Sequence, residues 1–379
     1  PKTAPQYDDQ GRRLVWMVLK ALYGGKASGR YWYELLRKTL IELGFKASEW
    51  DPCVFTRRRE DGNYYYIGLY VDDTLHVYSD EKEYEELVRI LRERFLGYSD
   101  LGTLTEIFNA EVTQHDEHVT LTQTRYIEGL YESLCVEKTS FEKTPAALDL
   151  LLTVTTAREA GIIDEELRSK YREIVGAVLY VAMVSRPDIS LAVGLLSRAL
   201  ESPDQDCLDA AYRVIRYLMG TKHLGIRWRK GGSTVMFGQV DADWSKVKST
   251  SGFVFFMASA AFAYLSKGQP SIAMSSTEAE IMAASLAALE AVFLRGLVED
   301  DLGLHQGGPT TIGIDNQGAI AISKNYMSNG KTKHIERRHL KIRELVQEMR
   351  VKPEYVPSSD NVADIFTKPL ARKQFEKLR

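Results

Sequence analysis

The chain has 379 residues, 44% hydrophobic and 27% charged, with a formal net charge of −3. That balance leaves room for roughly two to three domains with real cores and excludes nucleic-acid binding by bulk charge, so any such site must use local basic patches. Cys53, Cys135 and Cys207 lie far apart with no Cys-x-x-Cys, which argues against a zinc site or disulfide framework and for a reducing, intracellular compartment.

No apolar run approaches the length of a membrane span and no signal peptide is visible, so no membrane partner is expected. The sequence begins with Pro1 and reads as a piece of something longer. After a polar, turn-rich opening, a helix is predicted over 31–43, where Trp32, Leu35, Leu36, Leu40 and Leu43 have helical spacing and Gly44 is the stop. Residues 64–69 and 74–78 are apolar, β-favouring runs that predict a hairpin with Asp72 and Asp73 at its tip. Adjacent like charges repel and a divalent cation removes the repulsion, so the pair suits magnesium-dependent phosphoryl transfer. A solvated turn is the alternative. Residues 80–95 predict an amphipathic helix capped by Ser79 or Asp80, with Tyr84, Leu87, Val88 and Leu91 as its buried stripe.

Strand-like segments near 105–113 and 118–122 and a helix near 124–134 follow. Residues 135–165 are weakly patterned, with a linker around 143–145. Pro187 and Pro203 divide a strongly helical stretch into helices over 171–184, 188–200 and 207–218, a small helical connection. A new region begins at Gly231-Gly232. Strands are predicted over 235–241, 252–258, 261–266, 310–315 and 352–356, and helices over 276–299, 316–323, 334–350 and 360–366. That order describes a mixed five-stranded sheet with helices packed on it, so the fold class is α/β with an α+β fragment upstream.

In this region Asp241, Glu280, Asp315 and Asp364 fall at element ends, which meet at one edge of a sheet. Such a cluster would hold two magnesium ions for phosphodiester chemistry. Each acid has a plainer reading. Thr277 with Glu280, or Ser275 with Glu278, makes a capping box; only if Ser275 caps is Glu280 free. Asp315 could cap the next helix, and Asp364 could answer a helix dipole. Asp241 and Asp243 share one strand face, so periodicity cannot choose between them.

Lys20-Ala21-Leu22-Tyr23-Gly24, Trp32-Tyr33, Leu43-Gly44-Phe45, Asp51-Pro52-Cys53 and Leu69-Tyr70-Val71-Asp72-Asp73 resemble the palm of copia-type retrotransposon reverse transcriptase. Tyr171-Arg172, Val175-Gly176, Leu179-Tyr180 and Arg186-Pro187-Asp188-Ile189 resemble the connection of the same polyprotein. Asp241-Ala242-Asp243-Trp244, Ser249-Thr250-Ser251-Gly252, Ser275 to Glu280, Asp315-Asn316-Gln317, Thr332-Lys333-His334-Ile335 and Ala363-Asp364-Ile365-x-Thr367-Lys368-Pro369 resemble its ribonuclease H domain. The likeness implies partial fingers and palm over 1–100, primer grip, thumb and connection over 101–230, and ribonuclease H over 231–379.

On that resemblance, Asp72 and Asp73 would bind polymerase metals, Tyr23, Gly24 and Lys26 would line the nucleotide pocket beside Val71, and 101–112 would be the primer grip. Asp241, Glu280, Asp315 and Asp364 would be nuclease ligands, with Mg2+ or Mn2+, two ions per site. Lys333, His334 and Arg338 would contact nucleic acid, and His339 would assist proton transfer or product release. The implied partners are an RNA template, a DNA primer, RNA–DNA hybrid, dNTPs and the remaining polyprotein, in the cytoplasm within a virus-like particle or in the nucleus.

Three departures stand out. No third polymerase Asp lies on a strand upstream of Lys20, Ala27-Ser28-Gly29 replaces Gln-Ala-Pro, and Asn109 replaces a primer-grip glycine. A decayed, inactive remnant that at most binds nucleic acid is therefore the alternative function, and an unrelated phosphodiesterase a weaker one. Basic residues cluster at Lys331, Lys333, Arg337, Arg338, Lys341 and Arg343, at Arg57–Arg59, and at Lys368, Arg372 and Lys373, suiting salt-sensitive phosphate contact.

Overall fold

Apolar residues three and four apart drive the first helix, α1 (Ser28–Glu42), which buries Leu36, Thr39 and Leu40. Gly44 follows it at φ +86°, in the left-handed region that glycine enters freely. The computed structural model describes residues 7–8, 10–13, 22, 24–134, 140–245, 248–325 and 337–379, with only the backbone of 337–338. Strands β1 (Lys46–Ala47), β2 (Val54–Arg58), β3 (Tyr64–Tyr70) and β4 (Asp73–Tyr78) form an antiparallel sheet in chain order. Helix α2 (Glu81–Arg94) is capped by Asp80, which accepts from the Lys82 N–H, and it buries Leu87, Val88 and Leu91. Ser79 does not cap it; its hydroxyl accepts from the Tyr64 N–H of β3. These elements belong to one compact unit, Pro1–Asp100; the second is Leu101–Arg379.

The second unit opens with β5 (Glu106–Ile107), β6 (Ala110–Gln114), β7 (His118–Thr122) and α3 (Thr124–Ser133). Four helices follow: α4 (Leu150–Ala160), α5 (Glu165–Val184), α6 (Ser190–Leu196) and α7 (Gln205–Gly220). Strand β8 (Ile226–Arg229) then pairs with β7 and completes an antiparallel sheet. Neither α4 nor β8 was expected from the sequence. Leu150, Leu151 and Leu152 run together, which hides a helical period. Helix α5 starts six residues before the predicted 171, because the Asp164 carboxylate caps it by accepting from the Glu166 and Leu167 N–H groups. The predicted 188–200 helix is α6 flanked by 3-10 turns at Pro187–Ile189 and Ser197–Ala199.

The remaining elements are β9 (Phe237–Asp243), β10 (Thr250–Met257), β11 (Ala260–Gly268), α8 (Ser276–Arg295), β12 (Thr310–Ile314), α9 (Gln317–Lys324), α10 (Lys341–Gln347), β13 (Val351–Tyr355) and α11 (Arg372–Leu378). The sheet runs β11-β10-β9-β12-β13. β10 is antiparallel to both β9 and β11, and β12 is parallel to both β9 and β13. This is the mixed five-stranded sheet predicted. Helix α8 covers one face, packing Ala279, Ala283, Ala284 and Ala287 in a core with Phe253, Phe255, Ile312 and Ile314. The opposite face joins the helical connection, where Val254, Ile365 and Phe366 share a core with α4 to α7. Tyr264 of β11 locks the two by donating to the Ala182 and Met183 carbonyls at 2.9 and 3.0 Å.

Three expectations are corrected. With its π-helical extension Gly296–Asp301, α8 is 26 residues long and apolar enough to cross a membrane, although no such run was read from the sequence. Its apolarity serves the core: its alanines are buried against the sheet. The predicted 360–366 α-helix is instead two 3-10 turns, Ser358–Asp360 and Val362–Phe366. Between them Asn361, fully buried, donates to the Val240 carbonyl and accepts from the Ala363 N–H, so the segment is pinned to β9 as a strap. The predicted 334–350 helix is α10 after a 3-10 turn, Arg337–Leu340; its first residues, 334–336, lie outside the described set.

Candidate functional site

In the first unit Tyr70 pairs with Asp73, leaving Val71 and Asp72 as the two-residue turn of the predicted hairpin. Val71 stands at φ +53°, a left-handed conformation that is strained for a β-branched residue. Its carbonyl accepts from Trp32 Nε1 at 3.0 Å. Asp72 and Asp73 are both exposed. Gly24 takes φ +81° and Lys26 is exposed, whereas Tyr23 lies outside the described residues. In the second unit Phe108 and Asn109 have φ of +52° and +49° between β5 and β6, so the residue replacing the expected glycine holds the left-handed turn.

The second acidic constellation converges. Asp241 from β9, Glu280 from the start of α8 and Asp315 after β12 each offer a carboxylate oxygen, and these atoms lie within 4.8 Å of one another. Local hydrogen bonds decide the alternatives left open by the sequence. Ser275 caps α8 by accepting from the Glu278 N–H, and Glu278 in turn accepts from the Met274 N–H. Glu280 is thereby freed to face β9. Asn316, not Asp315, caps α9 by accepting from the Ala319 N–H. Asp315 instead accepts from the Ser358 hydroxyl at 2.6 Å. Of the two acids on β9, Asp241 is 2% exposed and joins the triad, while Asp243 does not.

Asp364 is outside the triad but beside it. Lys368 Nζ lies 3.0 Å from Asp364 Oδ1 and 3.8 Å from Asp241 Oδ2, and the Thr367 hydroxyl donates to Asp241 Oδ2. Gly252 makes this closeness possible. It pairs with Asp241 across β9 and β10, and a Cβ at Gly252 would stand 2.6 Å from Phe366 Cβ. The strap can lie on the strand only because that atom is missing. Thr367 and Lys368 stand in the sequence as part of a motif and a basic patch, with no local sign of a contact to Asp241; Gly252 inside β10 is the signal.

Burial and mutual repulsion set the electrostatics of the cluster, with Lys368 as the nearby cation. Burial pushes Asp241 up to about 7, with Asp364 and Asp315 adding to the effect, and Lys368 and the Thr367 hydroxyl opposing it. Burial, with Asp241 and Asp315 nearby, pushes Glu280 up to about 9. Glu280 Oε1 accepts from the Ala242 N–H at 3.3 Å, while Oε2 is buried without a hydrogen-bond partner among the described residues. Burial also raises Asp364. Buried like charges with an unsatisfied oxygen are what a divalent cation resolves, so the donor set fits Mg2+ or Mn2+. His339 is not part of this group; its carbonyl accepts from the Ser285 hydroxyl at 2.5 Å. Lys333, His334 and the Arg338 side chain lie outside the described residues.

Residues 3–147 match the family model described as reverse transcriptase (RNA-dependent DNA polymerase). The chain is 33% identical over 96% of its length to a retrovirus-related Pol polyprotein from transposon TNT 1-94 of Nicotiana tabacum, covering 28% of that protein. It is 32% identical over 98% of its length to the corresponding polyprotein from transposon RE1 of Arabidopsis thaliana, covering 25% of it. The chain thus spans about a quarter of the length of these relatives. A transposon Ty5-1 protein of Saccharomyces cerevisiae is 30% identical over 73% of this chain and 89% of its own length. Among solved structures, the N-terminal RNase H domain of a Mycobacterium tuberculosis protein, fused to maltose binding protein, matches at 15% identity with TM-score 0.27, over 38% of this chain and 96% of its own.

Proposed function

The chain belongs to the copia-type retrotransposon polyprotein family, and from that premise we propose that residues 231–379 are a ribonuclease H that hydrolyses the RNA strand of an RNA–DNA hybrid. The observation that carries this reading is the meeting of Asp241, Glu280 and Asp315 within 4.8 Å, with Glu280 Oε2 buried and without a hydrogen-bond partner among the described residues. Asp241, Glu280, Asp315 and Asp364 would hold two Mg2+ or Mn2+ ions, whose Lewis acidity supports attack on a phosphodiester and departure of its leaving oxygen.

The chain's own part is to keep these carboxylates aimed. Thr367 fixes Asp241, the Ala242 N–H fixes Glu280, and Ser358 fixes Asp315. Partners of this kind remove the cost of reorganising acids when ions and substrate arrive. A hybrid would be held by sequence-independent phosphate contacts and by its shape and 2′-OH groups. In the same reading 1–100 is part of a polymerase palm whose Asp72 and Asp73 serve DNA synthesis in the longer parent protein. Residues 101–230 are its primer grip, thumb and connection.

The test is cleavage of an RNA–DNA hybrid by the full chain with Mg2+. Asp315→Asn removes one charged ligand from the triad and is expected to cut the rate by about 100-fold or more. Cleavage unchanged by that substitution would falsify the assignment. A second reading, a remnant that binds nucleic acid without turnover, draws on Asp72 and Asp73 being exposed and outside any acid group among the described residues. Salt-sensitive hybrid binding with no metal-dependent cleavage is the outcome that would establish it.

A further inference from the structure

Asp241 belongs to two groupings. One is the triad with Glu280 and Asp315. The other is a pair with Asp364, and that pair is bridged by the Lys368 ammonium, 3.0 Å from one carboxylate and 3.8 Å from the other. Lys368 is not a loose surface side chain at this point. Its backbone N–H donates to the Asp364 carbonyl at 3.2 Å, and its neighbour Phe366 is tied to β11, the Phe366 carbonyl accepting from the Ser266 hydroxyl at 2.6 Å. The lysine side chain nevertheless remains 37% exposed, so it has an open route to solvent.

We propose that Lys368 is a positioning residue whose ammonium holds the place of one of the two cations, between Asp241 and Asp364, and vacates it when that ion binds. The inference rests on the ribonuclease H reading. An ammonium and a divalent ion repel strongly at about 3 to 4 Å, so they cannot share the same two oxygens. Lysine suits the exchange because its charge rides on a flexible stem with rotatable donors, and the stem can swing out without moving the strap. Before the ions arrive, the ammonium offsets the repulsion between two carboxyl groups that face each other in a buried setting. Its cost is competition, so the site should take up its first ion, at the triad, more readily than its second.

The experiment is Mn2+ titration of the full chain, read by calorimetry and by loss of the free-ion paramagnetic signal, with Lys368→Met, Lys368→Arg and Asp315→Asn alongside. The expected result is one tighter and one weaker ion in the parent. In Lys368→Met the weaker one tightens by about tenfold, the scale of one charge–charge interaction at a half-wet site. Lys368→Arg keeps the charge and should keep the parent's weaker ion. Should Lys368→Met unfold in chelator, Mn2+ must restore its fold, because the ion supplies the missing charge; failure to do so overturns the proposal. Asp315-dependent uptake with both affinities unchanged in Lys368→Met overturns the lysine's role alone. Absence of any Asp315-dependent uptake overturns the nuclease reading with it.

Discussion

Replacing Gly252 by alanine adds one methyl group at the closest approach between sheet and strap. The backbone at Gly252 is not left-handed, so the effect is one of contact alone. The new Cβ would stand 2.6 Å from Phe366 Cβ and 2.7 Å from Thr367 Cγ2. Ordinary carbon contacts begin near about 3.5 Å, so the strap must retreat by roughly 1 Å. Phe366 cannot yield by a rotamer change, since its Cβ moves only with its backbone and the residue is 1% exposed. Overpacking of this kind costs about 2 kcal/mol, which for a unit of this size lowers Tm by about 5 °C. The triad, carried by β9, α8 and the end of β12, should keep its first ion. The retreat carries Asp364, Thr367 and Lys368 away from Asp241, and a displacement of about 1 Å is expected to slow hybrid cleavage by about 100-fold. Thermal melting, Mn2+ titration and a cleavage assay read the three consequences separately. A Gly252→Ala protein with the parent's Tm and the parent's cleavage rate would refute the reasoning, because the strap would then not rest on that strand.

Two further outcomes follow from other parts of the molecule. With no ion bound, Asp241 and Glu280, raised by burial to about 7 and about 9, retain protons that the unfolded chain has released above about pH 4. The stability these two groups contribute in chelator should therefore be full below about pH 4 and be lost as pH rises through those two values, and Mg2+ should flatten the decline. A chelated melting temperature that climbs between about pH 5 and 9 contradicts this. At the other end of the chain, Val71 is 69% exposed and held at φ +53°. Val71→Asn should raise stability of the first unit by about 1 kcal/mol, since asparagine tolerates that conformation. A lower urea midpoint in the variant would show that Val71 is not strained.

The elements most legible in the sequence were those whose burial follows one period. Leu36 and Leu40 in α1 and Leu87 and Leu91 in α2 are of this kind. Elements without a clean period were not visible. In α4 three consecutive leucines include Leu152, which is 68% exposed, and α11 offers only Phe375 and Leu378 as buried positions in seven residues. The acids were found by residue type at element ends, but which of them could meet depended on choices that no pattern encodes. Ser275 rather than Thr277 caps α8, and Asn316 rather than Asp315 caps α9, each choice freeing a carboxylate.

The strap was the hardest part to foresee, because its geometry comes from contacts between residues far apart in the chain. Thr367 reaches an acid 126 residues before it, and Asn361 reaches the Val240 carbonyl 121 residues before it. A local reading sees a threonine and a lysine in a polar segment and assigns them to solvent or phosphate. The one local trace was Gly252, a glycine inside a strand whose neighbours Phe253, Val254 and Phe255 are all buried. A strand gives up side-chain packing at such a position when another backbone must pass close by. Here that backbone brings Asp364 and Lys368 to Asp241, so the residue with no side chain does as much to define the acid cluster as the residues that carry its charge.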